Sequence, residues 1–350
     1  MADISNTLSQ QIKDAHANKQ VLNIQGNDSK KFYGNPCKGQ SLHTSTHTGI
    51  ITYEPTELVI TARAGTSLQD INQTLADQNQ ILGFEPPDYG NSTLGGTIAC
   101  NLSGPRRPYA GAARDFVLGC RIINGKGDIM HFGGEVMKNV AGYDVARLMA
   151  GAMGTLGVLL DISLKILPRP QSEITIRQQL TEQQALSTLT QLRSQPIPIT
   201  AACFVGASLH IRLSGNTTAI NAAHKKIGGE LIADSEHFWQ SIREHQHTFF
   251  NNTQPLWRLS LPPATNINLD GKTMIDWGGA QRWLFSDLDA EHIRGKVNEV
   301  GGHATLYKNS TTDTEYFHPL DNTMLKVQQQ LKKSFDPENI LNPGKLYRAL

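Results

Sequence analysis

The chain has 350 residues, enough for two domains or for one large domain with an inserted one. Its 32 Lys and Arg nearly balance its 31 Asp and Glu, and this net charge of +1 argues against a nucleic-acid-binding surface. No run of about 18 apolar residues predicts a membrane span. The N-terminus lacks the basic and apolar regions of a secretory signal. Four widely spaced cysteines form no pattern for zinc or an iron–sulfur cluster, so we expect a cytoplasmic protein with reduced thiols.

The N-terminal part predicts a helix, a strand and a polar turn. Ile4, Leu8 and Ile12 are four apart, as on one face of a helix. Residues 21–24 predict a strand, and residues 25–34 then combine Gly, Asn, Asp and Ser with two lysines. Such a turn can direct successive backbone N–H groups at an anion, although a plain polar turn explains the same residues. The sequence has no P-loop pattern and no GxGxxG after a strand.

Two strands and a helix are predicted before a glycine-rich stretch. Residues 48–64 alternate as two short strands, and a helix follows with Thr66 as its predicted cap and Gln69 three residues later, a capping-box arrangement. Residues 85–104 then hold several glycines and short polar side chains, with almost no charge and no helical or strand periodicity. A stretch of this kind allows the backbone to approach a ligand closely.

A hairpin, a helix and a long strand are predicted next. Residues 117–123 and 128–132 predict the hairpin, and residues 139–149 predict the helix. From residue 156 to residue 166 every second position is apolar, which predicts a strand with one buried face. Two prolines after this strand indicate the end of the first domain.

The second part of the chain has a different pattern. Residues 173–232 follow the order β-α-β-β-α-β, which is typical of a ferredoxin-like fold. A helix near residues 236–247, three strands, a helix and a strand follow. We therefore expect an α+β cap domain with an antiparallel sheet over 171–308. A C-terminal segment, 309–350, returns to the first domain through a helix over 322–333. We find no internal repeat.

Four motifs, in this order, resemble the FAD-binding fold of the vanillyl-alcohol oxidase superfamily, also called the PCMH type. They are Gly26–Lys30 after a strand, Ser92–Ala99, Gly154–Val158 before the long strand, and the terminal Asn342–Lys345. The resemblance covers essentially the whole chain. It implies an α+β fold in which 1–170 form the FAD-binding domain with two α+β subdomains, 171–308 the ferredoxin-like cap, and 309–350 the returning segment.

Within this superfamily the chain is most similar to the E-type FAD-binding subunits of bacterial glycolate oxidase, through residues 105–115, 140–148, 275–283 and 301–305. Those subunits belong to an assembly with a homologous flavoprotein subunit, D, and an iron–sulfur subunit. The resemblance implies a flavoprotein oxidoreductase that oxidises glycolate, or a related small 2-hydroxy acid, to glyoxylate and passes electrons through FAD to the iron–sulfur subunit. Any membrane contact, at the inner membrane, would be peripheral and made through partners.

The resemblance also implies which residues bind FAD. It puts the pyrophosphate on the turn formed by Gly26, Asn27, Asp28, Ser29 and Lys30. Asp28 stands where the family often has Gly or Ser, and its carboxylate would repel phosphate unless it bonds its own backbone. The rest of the cofactor is expected against Pro87, Asp88, Ser92, Thr93, Gly95, Gly96, Thr97, Ala99, Gly104, Arg106, Gly157 and Val158.

The mode of attachment and the absence of a metal are separate expectations. Cys100, His43 and His47 are alternatives for covalent attachment of the flavin, but no local pattern supports them, and we predict non-covalent FAD. His245 and His247 do not share a helix face, so we predict no metal site.

Oxidation of a 2-hydroxy acid needs a hydride acceptor, a base and a cation for the carboxylate. Arg258 and Arg282 are the candidate cations, because the guanidinium fork suits a carboxylate, and Arg106 is a further one. Tyr143 and His303 are the candidate bases. Each also has a structural interpretation: the arginines can stack on neighbouring tryptophans, the histidine can lie at the surface, and the tyrosine can pack on its helix.

Two other functions stay open from the sequence. The chain could be a non-catalytic assembly or electron-relay subunit of the same complex, or a free-standing FAD-dependent oxidase of a sugar or alditol. A docking face for the partners could lie on the cap, where aromatic residues and Arg are abundant, although a packed core explains its tryptophans equally well: Trp239, Trp257, Trp277 and Trp283.

Overall fold

The computed structural model describes residues 2–134, 144–310 and 313–350. Its strands are β1 (Leu22–Gln25), β2 (Gln40–His43), β3 (Ile50–Glu54), β4 (Val59–Arg63), β5 (Gln80–Ile81), β6 (Val117–Ile123), β7 (Ile129–Gly133), β8 (Val158–Lys165), β9 (Leu167–Pro168), β10 (Ser172–Gln179), β11 (Ile199–Val205), β12 (Ser208–Gly215), β13 (Glu230–Leu231), β14 (Leu256–Ser260), β15 (Lys272–Asp276), β16 (Gln281–Phe285) and β17 (His303–Lys308). Its α-helices are α1 (Ser5–Ala17), α2 (Leu68–Ala76), α3 (Leu94–Cys100), α4 (Arg107–Ala110), α5 (Ala113–Phe116), α6 (Val145–Met149), α7 (Glu182–Arg193), α8 (Thr217–Ile227), α9 (Ser235–Arg243), α10 (Ala290–Glu299) and α11 (Asn322–Phe335). The helix predicted over 139–149 lies partly outside the described residues, which show its second half as α6.

The chain divides into two compact units. The first unit comprises Met1–Ser103, Gly111–Pro168 and Pro319–Leu350, and the second comprises Gly104–Ala110 and Arg169–His318. The C-terminal helix α11 therefore belongs to the first unit, although it follows the second unit in the sequence. No helix in the described ranges is long and apolar enough to cross a membrane.

The first unit is built on an antiparallel sheet of five described strands in the order β3-β4-β8-β6-β7. The central strand β8 carries the period-two pattern seen in the sequence. Leu160, Ile162 and Leu164 are all fully buried, which confirms the predicted apolar face. At the start of this strand, Val158 belongs to the same buried cluster as Leu8 of α1, so the helix covers that face of the sheet.

The other face of β8 is buried as well, which alternation alone did not predict. Its polar side chains are hydrogen-bonded: Asp161 lies 3.2 Å from His47 Nε2 and 2.7 Å from Arg121 Nη1. Ser163 Oγ lies 2.8 Å from Thr61 Oγ1. Because buried polar groups are tolerated when they are paired, these contacts allow a strand with polar residues to lie in the centre of the unit.

The C-terminal tail is tied to the first strand. Leu22 N donates to Ile340 O at 2.7 Å, and Asn342 N donates to Leu22 O at 3.1 Å. Leu22, Leu42 and Ile340 share one buried cluster with α1. The tail thus packs beside β1, immediately before the turn of residues 26–30.

Two local predictions in this unit were wrong. The cap of α2 is Ser67, whose Oγ accepts from Asp70 N at 3.0 Å, whereas Thr66 Oγ1 accepts from Gly49 N at 2.9 Å. The stretch 85–104 also contains a helix, α3, capped by Thr93. Its two glycines lower the helix propensity, and their lack of side chains hid the periodicity.

The second unit contains one antiparallel sheet of eight described strands, in the order β13-β10-β12-β11-β15-β16-β14-β17. The strands β10 to β13, with α7 and α8, confirm the ferredoxin-like pattern. Strands β14 to β17 repeat the same arrangement in mirrored order, with a loop in place of the helix between the first two strands. The halves meet where Phe204 of β11 pairs with Ile275 of β15. The structure therefore contains a repeat that the sequence did not reveal.

The cap tryptophans are mostly core residues. Trp239, Trp257 and Trp283 are exposed by 3%, 3% and 5%, respectively. Trp283 lies in an aromatic cluster, with ring centroids 4.6 Å from His245 and 4.9 Å from Tyr307. Of the two interpretations of these side chains, the packed core is the one that the structure supports for these three.

Candidate functional site

A cavity of about 230 Å³ lies in the first unit. Four segments that are far apart in the sequence line it: the turn after β1, α3 with its cap, residues 153–159, and the tail at Asn342 and Lys345. These segments correspond to the four motifs of the sequence analysis. The fold therefore brings the four motifs to one cavity.

Most of the predicted cofactor-binding residues line this cavity: Gly26, Asn27, Asp28, Ser29, Lys30, Thr93, Gly95, Gly96, Ala99 and Gly157. Other predicted residues belong to the same unit but do not line it: Pro87, Asp88, Ser92, Thr97 and Val158. Gly104 and Arg106 belong to the second unit. There Arg106 is buried, and its Nη2 donates to Glu173 Oε2 at 3.0 Å.

Ser92 and Thr97 act on the cavity through Lys30. The Lys30 side chain is buried, and its ammonium donates to Ser92 Oγ and, at 3.5 Å, to Thr97 Oγ1. Asp88 stabilises the position of Ser92, because its Oδ1 accepts a hydrogen bond from Ser92 N at 2.5 Å. The hydroxyls therefore position the lysine charge at the cavity wall.

Asp28 fits the turn through its backbone conformation, not through a hydrogen bond to its side chain. Asp28 has a left-handed backbone, with φ of 57°, a conformation that Asp and Asn tolerate better than most residues. Its carbonyl accepts from Lys31 N at 3.0 Å, which closes the turn. Within the described part of the chain its carboxylate accepts no hydrogen bond, so the bond to its own backbone that would have offset the repulsion does not form.

The two glycines of α3 have different roles. A Cβ on Gly95 would lie 2.7 Å from Ala64 Cβ, so Gly95 allows the helix to pack on the end of β4. A Cβ on Gly96 would meet only Thr93 Oγ1, at 3.2 Å, and otherwise open space. Of the pair, Gly96 is the one whose bare backbone leaves room for a ligand, whereas Gly95 serves protein packing.

Asn342 joins three walls of the cavity and was missing from the predicted site residues. It is buried; its Oδ1 accepts from Ile24 N at 2.7 Å, and its Nδ2 donates to Met153 O at 2.7 Å. Its backbone has φ of 44°. The terminal motif indicated this segment, but nothing in the pattern showed that the side chain crosses between β1 and the loop at residue 153.

A buried ion pair anchors the same tail. Lys332 Nζ donates to Asp336 Oδ2 at 2.7 Å, to Thr155 O at 2.8 Å and to Leu341 O at 2.6 Å. The other Asp336 oxygen accepts from Ile340 N at 3.1 Å. Burial lowers the pKa of Lys332, and the neighbouring carboxylate opposes that effect. Sequence reasoning missed this pair, since a lysine and an aspartate four apart usually read as an exposed helix contact.

The residues considered for covalent attachment are placed apart from one another. Cys100 lines the cavity, and burial raises the pKa of its thiol. His43 is exposed on β2. His47 is fully buried, with Nδ1 accepting from Ile4 N at 3.2 Å and Nε2 facing Asp161, so both of its nitrogens are engaged.

Two of the predicted catalytic residues lie together in the second unit. In the register of the sheet, Arg258 is opposite Thr305 and Ser260 is opposite His303, so Arg258 and His303 share one face. The Arg258 guanidinium carbon lies 5.7 Å from the Tyr307 ring centroid. Partial burial lowers the pKa of His303, and the charge of Arg258 lowers it further.

Arg282 is on the opposite face of the sheet and is engaged with the main chain. Its side chain is exposed by 2%, and its guanidinium donates to Gly279 O and, at 3.0 Å, to Thr265 O. Burial lowers its pKa to about 10. This arginine therefore holds the loop before β15 and is not placed to bind a substrate. Tyr143 lies outside the described residues.

Among the described residues, no three His, Cys, Asp or Glu side chains come together as metal ligands. His245, one of the histidines considered for a metal, is stacked on Phe250 with centroids 4.0 Å apart. The chemistry of the cavity is instead that of a nucleotide site: it has three lysines, short hydroxyls and a glycine backbone open to a ligand. These groups suit a cofactor with phosphates, such as FAD.

Comparisons with known proteins agree with this chemistry. Residues 4–133 match the family model of the FAD binding domain, and residues 314–346 match that of the C-terminal domain of FAD linked oxidases. The two matches include the turn after β1, α3 and the tail. The solved structure of alkyldihydroxyacetonephosphate synthase has the same fold, with a TM-score of 0.70 at 14% identity over 97% of this chain and 76% of that chain.

The chain also has curated relatives. It is 46% identical over 350 residues, 99% of each chain, to glycolate oxidase subunit GlcE of Escherichia coli (strain K12). It is 32% identical over 127 residues, 36% of this chain and 27% of the relative, to glycolate oxidase subunit GlcD of Bacillus subtilis (strain 168). The chain therefore belongs to the family of glycolate oxidase subunit GlcE, among the FAD-linked oxidases, and its cofactor is FAD.

Proposed function

We propose that the chain is the FAD-binding subunit of a glycolate oxidase complex and takes part in the oxidation of glycolate to glyoxylate. The observation that carries this proposal is the identity of 46% to a glycolate oxidase subunit over 99% of both chains. The cavity supports it, because the motifs that imply FAD line one space. In this proposal the first unit is the FAD-binding domain and the second is the cap.

We infer that FAD binds without a covalent bond. The turn of residues 26–30 binds the pyrophosphate through backbone N–H groups and Lys30, and the residues of α3 and Gly157 lie along the rest of the cofactor. The engaged nitrogens of His47 and the raised thiol pKa of Cys100 favour this mode, since a flavin-linking residue must be free to act as a nucleophile.

The chemistry divides between cofactor and protein. When bound, FAD would supply the hydride acceptor for the carbon that carries the hydroxyl group. Arg258 binds the substrate carboxylate through its fork. His303 takes the hydroxyl proton; its lowered pKa keeps the imidazole neutral, and therefore able to accept a proton, near neutral pH.

The partners follow from the relatives. Curated proteins named as subunits E and D of glycolate oxidase both resemble this chain, which supports an assembly with a homologous flavoprotein subunit. We propose that an iron–sulfur subunit completes it and receives the electrons, as the resemblance to the E-type subunits implies. The complex would be cytoplasmic, with any membrane contact made by its other subunits.

One observation favours a second function, that of a non-catalytic assembly or electron-relay subunit. Arg282 is engaged with carbonyl groups, so one of the two cap arginines proposed for the carboxylate is not available. A relay subunit would bind FAD but would leave glycolate oxidation to its partner.

Anaerobic reduction of the bound flavin separates these functions. The purified chain should carry FAD that absorbs in the visible, and glycolate should bleach it without partners if the chain is catalytic. Bleaching only after a D-type subunit is added would support the relay. Bleaching by a sugar or alditol but not by glycolate would indicate a free-standing oxidase, and a colourless chain that binds no added FAD would overturn the proposal.

A further inference from the structure

We propose that Lys345 is a further fixed cation of the FAD site, one that binds the cofactor's pyrophosphate beside Asp28. This inference rests on the proposed FAD site and adds a residue to it. Lys345 lies in the C-terminal tail, far in sequence from Lys30, yet both line the same cavity as Asp28. The terminal motif and the family match include Lys345 but give its side chain no role.

The backbone of Lys345 is firmly held. Its N donates to Asn342 O at 3.2 Å, and its O accepts from Asn35 N at 3.0 Å. Asn342 is itself bonded to β1 and to the loop at Met153. The Lys345 side chain therefore starts from a rigid point on the cavity wall, which limits the entropy lost when it binds a ligand.

The Lys345 ammonium has no direct ion-pair partner in the described part of the chain. Its side chain is half-buried, yet among the described residues it makes no hydrogen bond and no ion pair. Burial lowers its pKa, and the nearby charge of Asp28 partly opposes this. A half-buried ammonium without a partner is unfavourable, so a bound anion is the natural partner.

This arrangement also accounts for Asp28. Its carboxylate borders a site that must hold two negative phosphates, and by itself it would repel them. Lys30 cannot offset it alone, because that ammonium is directed at Ser92 and Thr97. Lys345 adds positive charge on the Asp28 side of the cavity, where the two side chains interact.

The test compares ligands with and without phosphate. Lys345→Met should weaken FAD binding about tenfold to a hundredfold, the value of a hydrogen bond to a charged group. It should change the affinity for riboflavin, which has no phosphate, by less than about twofold. Lys345→Arg should keep most of the FAD affinity. Lys326→Met, an exposed lysine on α11, is the matched control and should bind both ligands as the unmodified chain does.

A double-mutant cycle tests the pairing with Asp28. Asp28→Asn should improve FAD binding more in the Lys345→Met background than in the unmodified chain, because only there is the carboxylate uncompensated. Affinities are measured by quenching of flavin fluorescence, at low and high salt. Equal losses for FAD and riboflavin, or an unchanged FAD affinity, would overturn the role of Lys345. If Lys30→Met also leaves FAD affinity unchanged, the proposed phosphate turn itself is wrong.

Discussion

Lys332 and Asp336 form an ion pair that is closed to solvent. Their N–O distance is 2.7 Å, and the two residues are exposed by 5% and 1%. The pair connects α11 to the tail that supplies Asn342 and Lys345, and Lys332 also holds the Thr155 carbonyl next to the cavity loop. Its geometry therefore matters for the cofactor site as well as for the fold.

Removal of one partner should be costly. Lys332→Met leaves the Asp336 carboxylate buried and unpaired, so we expect a loss of about 3–5 kcal/mol in the free energy of unfolding. Guanidinium denaturation measures it. The exposed neighbour Lys333 provides the control, and Lys333→Met should change stability by less than about 0.5 kcal/mol. Similar losses in both variants would show that the pair has no special contribution.

Asn342→Ala should lower the stability of the protein and its affinity for FAD. It leaves Ile24 N and Met153 O without their buried partners, which should cost about 2–4 kcal/mol of stability, and FAD affinity should fall because the walls lose their link. Asn339 is the control: it has the same left-handed backbone, with φ of 52°, but an exposed side chain. Asn339→Ala should therefore report only the backbone cost, about 1 kcal/mol. The interpretation fails if the two variants lose equal stability and FAD affinity.

The cap of α2 gives a smaller, local prediction. Ser67→Ala removes the acceptor for Asp70 N and should cost about 1 kcal/mol, whereas Ser67→Gly should cost only a few tenths. Urea denaturation of the two variants measures the difference. Equal losses would mean that the hydroxyl contributes little as a cap.

Acid should destabilise the second unit through His210. Its ring is stacked on Phe238 with centroids 4.2 Å apart, and burial, with the charge of Arg177, lowers its pKa to about 4. The unfolded chain binds the proton near pH 6.5 and the folded chain only near pH 4, so stability should fall across this window as the pH falls, by roughly 2–3 kcal/mol.

The His210 contribution can be isolated by substitution. His210→Gln cannot titrate, so its stability should depend less steeply on pH between 6.5 and 4 than that of the unmodified chain. His237→Gln, at an exposed position of the same unit, should leave the slope unchanged. Denaturation midpoints at a series of pH values give both slopes, and identical slopes for all three proteins would contradict the assignment.

The two cap arginines should respond differently to substitution. Arg258→Met should lower the rate of flavin reduction by glycolate, and weaken glycolate binding about tenfold or more, with little change in melting temperature. Arg282→Met should lower the melting temperature instead, because buried carbonyls lose their donor. Anaerobic stopped-flow and thermal denaturation of both variants provide the comparison. A stable Arg282→Met protein that no longer binds glycolate would reverse the assignment.

Much of the fold was predictable from local pattern. The period-two run at 156–166 and the helical spacing of Ile4, Leu8 and Ile12 are strong because each reports burial of a single face. The ferredoxin-like half of the cap was likewise evident from the order of its elements. The mirrored half was not, because a loop replaces one of its helices and topology does not require similar residues.

The residues of the candidate site were also predictable only in part. The sequence by itself determined the four motifs, the family they resemble and the candidate residues on the turn after β1. Only the tertiary structure decided that Gly95 serves packing and that Arg282 is engaged with carbonyls. It alone brought Asn342 and Lys345 to the cavity and placed the Lys332 ammonium of the ion pair on the Thr155 carbonyl. The physical reason is that these roles depend on tertiary contacts, and no local periodicity or spacing records which groups a side chain meets in the folded chain.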